Sequence, residues 1–199
     1  MIHSLSLERI QQEIHSLNNK EEESAVVQGC VEGNPTAQRI LYESNYNQLL
    51  GVCMRYVSEK AEAEDVLHDS FIIIFDKISS YQYKSKIISW MTRIVINQAL
   101  AYLRKKKKLR IDYNTNPEEL DQPEITREEL QPFSTSQVFH FLDQLPIGYR
   151  TVLSLYSIDG LSHKEIANHL SISESSSRSQ LTRARKALRE ILTNNRRHG

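Results

Sequence analysis

The chain has 199 residues, with 25 basic and 25 acidic side chains and a formal net charge of zero. Its 39% apolar content suits two modest helical cores better than one large one. Unbroken apolar runs reach only five residues, as from Phe71 to Phe75, far short of the roughly 20 residues a bilayer span requires. No basic-then-apolar leader opens the sequence, so the expectation is a cytoplasmic chain without membrane insertion.

Before residue 20 only Ile10, Ile14 and Leu17 recur at helical spacing, which fits either a weak helix or an N-terminal arm over 1–23. Organisation sharpens at Gly33-Asn34-Pro35, where Asn34 suits an N-cap and Pro35 the first helical position. Ala37, Ile40, Leu41, Leu49, Cys53, Tyr56 and Val57 then predict a long amphipathic helix. A second is predicted over 61–78, with Leu67, Phe71, Ile74, Phe75 and Ile78 on its stripe. A third runs from Ser89 to Lys107, with Trp90, Ile94 and Ala101 along one side. This first domain covers 24–110.

Residues 111–132 are acidic, proline-bearing and poor in apolar groups, the composition of a flexible linker. Fully extended, it would reach about 75 Å. A second domain over 133–194 restarts near Ser134. Val138, Phe141, Leu142 and Leu145 predict one helix, broken at Pro146-Ile147-Gly148, and Thr151 to Ser157 another, closed by Asp159-Gly160. Ser162 and Glu165 then form a capping box ahead of Ile166, Ala167 and Leu170. The short connection Ser171-Ile172-Ser173 leads to a last helix with Leu181, Ala184, Leu188 and Ile191 at helical spacing. The fold class is all-α: two small helical domains joined by a flexible acidic linker. Cys30 and Cys53 lack CxxC spacing and read as buried apolar side chains of a reducing compartment.

Zero net charge seems to argue against a nucleic-acid partner, but the charge is unevenly laid down. Residues 81–110 carry +9 and residues 161–199 carry +5, while 111–132 carry −6. Each basic block is either a solvated helix face or a binding surface. The C-terminal block sits on a short helix, tight turn and longer helix, the helix-turn-helix pattern. The start of its second helix, Ser175, Ser176, Ser177, Arg178, Ser179 and Gln180, is short-chained and polar. Arg178 and Gln180 could fork to base edges while the serines suit phosphates. Arg183, Arg185, Lys186 and Arg189 would neutralise phosphates. In the first block, Tyr81, Tyr83 and Trp90 interleave with Lys84, Lys86 and Arg93, and the run from Arg104 to Lys108 follows. Rings beside cations suit unpaired bases, although Trp90 equally suits a core.

The helix with Glu62, Glu64, Asp65, His68 and Asp69 presents an acidic face, either solubilising or a dock for a basic protein. Asp65 and His68 have the Asp-x-x-His spacing of carboxylate-bridged metal sites, but no second copy accompanies them, so neither metal nor other cofactor is expected. No phosphate-binding glycine loop or nucleophile elbow is present, so no catalytic residue is assigned.

As a set these residues resemble the sigma-70 family of bacterial RNA polymerase initiation factors, in its small extracytoplasmic-function (ECF) type, over residues 24–192. Ala63-Glu-Asp-Val-Leu-His-Asp-Ser-Phe71 is similar to the core-binding segment of region 2. Ser89-Trp-Met-Thr-Arg-Ile-Val-Ile-Asn97 resembles its promoter-melting helix. Leu145-Pro146 with Tyr149-Arg150, Glu165-Ile166-Ala167 and the stretch from Arg178 to Arg185 resemble region 4. The resemblance implies core polymerase binding through Glu64, Asp65, His68 and Asp69, against the β′ clamp helices with further β-subunit contact. It implies −10 element binding through Tyr81, Tyr83, Lys84, Lys86, Trp90, Arg93, Asn97 and Arg104. It assigns −35 element binding to Lys164, Ser175, Ser176, Ser177, Arg178, Ser179, Gln180, Arg183 and Arg185, and an anti-sigma factor as a further partner. Ser175-Ser176 replaces a frequent Gly-Thr, Gln180 a frequent basic residue and His68 a common Gln, departures that bear on the promoter sequence. Two rivals stand beside this reading: a dimeric helix-turn-helix regulator that works without polymerase, and a metal-dependent helical enzyme.

Overall fold

The computed structural model describes residues 20–106 and 123–196, and all regular structure within them is helical. The predicted arm up to residue 19, most of the linker, and Lys107 and Lys108 of the basic run lie outside the described residues. The fold falls into two compact units, Met1–Met54 with Glu59–Ala99, and Arg55–Ser58 with Leu100–Gly199.

The first unit begins with α1 (Lys20–Val31), a helix that no clear apolar periodicity in the sequence announces. It ends in a left-handed Gly33, φ 75°, and Asn34 N–H returns to Gly29 O at 2.9 Å. Gly29 is needed for close approach: a Cβ there would stand 2.7 Å from the Ala37 Cβ of α2. That second helix (Pro35–Met54) starts as predicted, with Asn34 Oδ1 accepting the N–H groups of Thr36 at 2.8 Å and Ala37 at 3.3 Å. α3 (Lys60–Lys77) packs on α2, burying Ala63, Val66, Leu67, Phe71 and Ile74, and closes in a 3₁₀ turn (Ile78–Ser80) against α1. α4 (Ile87–Lys105) buries Ile87, Met91, Val95, Ile96 and Ala99. The predicted stripe is out of phase here. Trp90, Ile94 and Ala101 are only half-buried, because Met91 and Val95 are the pair aimed at the core.

In the second unit a one-turn helix, α5 (Arg127–Leu130), precedes α6 (Thr135–Asp143), which opens on a Ser134–Gln137 capping box. The expected break at Pro146-Ile147-Gly148 is narrower than predicted: Pro146 caps α7 (Ile147–Leu153), whose end widens into a π turn (Ser154–Ile158). α8 (His163–Leu170) carries the predicted Ser162–Glu165 capping box. α9 (Glu174–Arg196) packs on α6, α7 and α8 through Leu181, Ala184, Leu188 and Leu192. Arg150 is 3% exposed, paired with Asp143, and donates to Ser58 Oγ at 2.9 Å. Asp159 accepts from Arg55 and Tyr56, and burial holds its carboxyl above the usual range, against the pull of those two donors. Burial likewise pushes the Cys30 thiol up to about 11, in keeping with an inert, buried side chain.

Candidate nucleic-acid interface

In the first unit the acidic face follows from helical phase. Asp65, His68, Asp69 and Asp76 lie on the exposed side of α3, opposite the stripe that packs on α2. Among them stands Ile72, 69% exposed, although the apolar run around it gives it the look of core. Glu64 is half-buried, accepting from Tyr46 Oη at 3.3 Å and pairing with Lys60 at 3.7 Å. His68 Nε2 lies 3.0 Å from Tyr42 Oη, its ring stacked on that tyrosine at a centroid distance of 6.3 Å. An exposed apolar group ringed by acids is a docking pattern for a basic, partly apolar partner. Among the described residues no group of three or more His, Cys, Asp or Glu could hold a metal ion.

The loop between the 3₁₀ turn and α4 brings the predicted aromatic residues together. The Tyr81 ring lies 4.7 Å from that of Tyr83 and 5.7 Å from that of Trp90. Tyr81 is buried, Tyr83 is 43% exposed, and Trp90 is half-buried. Tyr83 holds φ at 55°, a left-handed conformation that a bulky side chain rarely takes. Lys84, Lys86, Arg93 and Asn97 are exposed on the same loop and helix. Arg104 belongs with the second unit, where its Nη1 donates to His169 O at 2.8 Å.

In the second unit α8, a tight turn and α9 build a helix-turn-helix. Ser171 turns the chain with φ at 56°, and Ile172 N–H returns to Ala167 O at 3.0 Å. Ser173 Oγ then caps α9 by accepting Ser176 N–H at 3.0 Å. His163 fixes the two helices, its Nδ1 2.9 Å from Ser177 Oγ and its ring stacked on Tyr156 at 4.6 Å. These contacts divide the predicted reading stretch in two. Ser175 and Arg178 are exposed and Ser179 and Arg183 half-buried, while Lys164 is exposed on α8. Ser176, Ser177, Gln180 and Arg185 face inward, with Gln180 only 1% exposed. The expectation that Gln180 reads a base edge is thereby corrected: one turn before Ala184 and beside Leu181, it lies on the core side of the helix. Arg178 pairs with Glu174 at 2.9 Å, an exposed i,i+4 contact that holds the guanidinium near the helix start.

In the free chain Arg185, expected to contact a phosphate, is engaged by other partners. Its guanidinium lies 5.6 Å from the Tyr156 ring centroid and pairs with Glu124 at 3.2 Å. Arg189 pairs with Glu129 at 2.9 Å and donates to the carbonyls of Pro123 and Glu124. Arg196 donates to the Glu129 carbonyl at 2.6 Å. The last residues of the predicted linker are therefore a strap laid on α9. Glu129 anchors it with both oxygens, one accepting Thr126 N–H at 2.8 Å and the other Arg189 Nε. That backbone hydrogen bond, ahead of the arginines, holds its carboxyl below the usual range.

Two family patterns match the chain. The family pattern described as "Sigma-70 region 2" matches residues 41–109, and "Sigma-70, region 4" matches 136–188. The chain is 26% identical over 187 residues to the RNA polymerase sigma-H factor of Pseudomonas aeruginosa, covering 87% of this chain and 95% of that one. It is 28% identical over 178 residues to the ECF RNA polymerase sigma-E factor of Haemophilus influenzae, covering 83% and 93%. Among solved structures, the sigma factor RpoE in complex with the anti-sigma factor NepR from Bartonella quintana matches with a TM-score of 0.50 at 18% identity, over 78% of this chain and 96% of that one.

Proposed function

The chain belongs to the sigma-70 family, as a sigma factor of the ECF type that directs promoter-specific transcription initiation, and from that premise we propose how its surfaces divide the work. The acidic face of α3, Asp65, His68 and Asp69 around Ile72, docks on core RNA polymerase at the basic β′ clamp helices, with further contact to the β subunit. The cluster of Tyr81, Tyr83 and Trp90, with Lys84, Lys86, Arg93 and Asn97 on the same loop and helix, takes up an unpaired base of the −10 element. Stacking of this kind is worth about 1–3 kcal/mol per base. The exposed side of α9 at Ser175 and Arg178, with Lys164 and Arg183, reads the −35 duplex in the major groove.

The observation that carries this reading is the separation of charge by surface: one acidic, apolar-centred face and two basic faces, each on the outward side of a packed helix. The protein acts with polymerase in the cytoplasm, catalyses no reaction itself, and has an anti-sigma factor as regulator. The last point is supported by the anti-sigma complex of the solved relative. Among the described residues no helix is long and apolar enough to cross a membrane. Run-off transcription on genomic promoters with core polymerase, with and without the chain, tests the whole. Failure to co-elute with core polymerase would favour the stand-alone regulator.

A finer test addresses the helix-turn-helix. Arg178→Ala should relax preference at a single −35 position by about 1–2 kcal/mol, leaving binding to other positions intact. Competition binding across a set of singly substituted −35 duplexes measures it. A uniform loss at every position would make Arg178 a phosphate contact.

A further inference from the structure

The aromatic loop is held by a residue outside both matched segments. Glu23, half-buried on α1, places Oε1 3.2 Å from Tyr81 Oη and 3.3 Å from the backbone N of Ile87, the first residue of α4. One carboxylate thus reaches both ends of the six-residue stretch Tyr81 to Lys86. It accepts an N–H at a helix start, where negative charge is favoured. The Tyr81 hydroxyl also reaches the Ser85 carbonyl, closing the loop on itself. Burial and the Glu23 charge push this phenol up to about 12, so it remains a hydrogen-bond donor. Inside that frame Tyr83 sits at its left-handed φ with its ring on Tyr81. Such a conformation persists only where its surroundings over-determine it.

We infer that Glu23 is a positioning residue for promoter opening, fixing the Tyr81–Lys86 loop so that Tyr83 and Trp90 are set before a base arrives. The inference rests on the assignment of this loop to the −10 element. Glu23 touches no DNA itself; it acts through Tyr81 and the start of α4. Gln at this position keeps an oxygen that can accept both hydrogen bonds, whereas Ala removes the anchor.

Two measurements on the full chain test it. In the free protein, acrylamide quenching of Trp90, the single tryptophan, should rise at least twofold in Glu23→Ala and stay near wild type in Glu23→Gln. In the holoenzyme, permanganate reactivity of the opened −10 region should fall about tenfold in Glu23→Ala. Affinity for core polymerase should change less than twofold, and Glu23→Gln should recover most of the opening. Combined with Tyr81→Phe, the Ala variant should add little further loss. Unchanged quenching, or equal losses of core binding and opening, would overturn the inference. If the wild-type holoenzyme opens no promoter, it is the −10 assignment that fails, and quenching alone then decides whether Glu23 anchors the loop.

Discussion

Asp65→Lys together with Asp69→Lys should abolish stable association with core RNA polymerase, weakening it by about 100-fold or more. Both carboxylates are exposed on α3 and lie off the stripe that packs beneath them. Reversing them leaves the core of Leu67, Phe71 and Ile74 intact, so the melting temperature should barely move. Against a basic partner the same change turns attraction into like-charge repulsion, which costs several kcal/mol when it is brought into an interface. Ile72→Ser provides the apolar counterpart, expected to lose about 1–2 kcal/mol of binding through buried area alone. Sedimentation or fluorescence anisotropy with labelled core enzyme reads both. Retained affinity in the double variant would move the polymerase dock elsewhere.

The second large effect concerns the strap on α9. Glu124→Gln with Glu129→Gln should raise the affinity of the free chain for duplex DNA by roughly 50-fold at 0.1 M salt. The magnitude follows from counterion release: each additional phosphate neutralised adds about 0.9 to the salt slope, close to tenfold per contact at that concentration. Arg185 and Arg189 are now engaged by Glu124 and Glu129, so two carboxylates offset the positive charge of α9 in the free chain. In Glu129→Gln the side-chain amide oxygen can still accept the Thr126 N–H, so the variant separates charge from folding. Titration of a fluorescent duplex at several salt concentrations checks both affinity and slope. An unchanged slope would mean that these arginines serve only to pack the strap. The pH dependence has the matching sign. Because the Glu129 carboxyl is held low, the stability it lends is full above its unfolded range and is lost as pH falls through its lowered value.

Much of this was legible in the sequence, and the failures have common physical sources. Caps and breakers act locally, so Asn34, Ser162 and Glu165 mark helix starts that the structure reproduces. Clear apolar periodicity places α2 and α3. On α4 apolar residues surround the helix, and the choice between Trp90 and Met91 as the inward residue depends on tertiary packing. The polar start of α9 fails for the converse reason. Ser176, Ser177 and Gln180 carry no apolar signal, yet they face inward. Arg178 and Gln180 flank the stripe begun by Leu181 and Ala184 on opposite sides at similar angles, so tertiary packing decides which of them is covered. Ile72 and Glu23 are not accessible from sequence either, since one is an apolar residue left outside a packed stripe and the other acts across more than fifty residues of chain.

The division into two units also governs how the protein comes apart. Two cores built from separate sets of side chains need not melt together, and one unfolding free energy then no longer describes the chain. Trp90 lies in the first unit, so its emission follows the loss of that core alone, whereas far-ultraviolet circular dichroism sums the helices of both. Heating monitored by the two probes should give different midpoints, and calorimetry two overlapping transitions. Ligands then sort by unit: a duplex bound to α9 should raise the transition that tryptophan does not see.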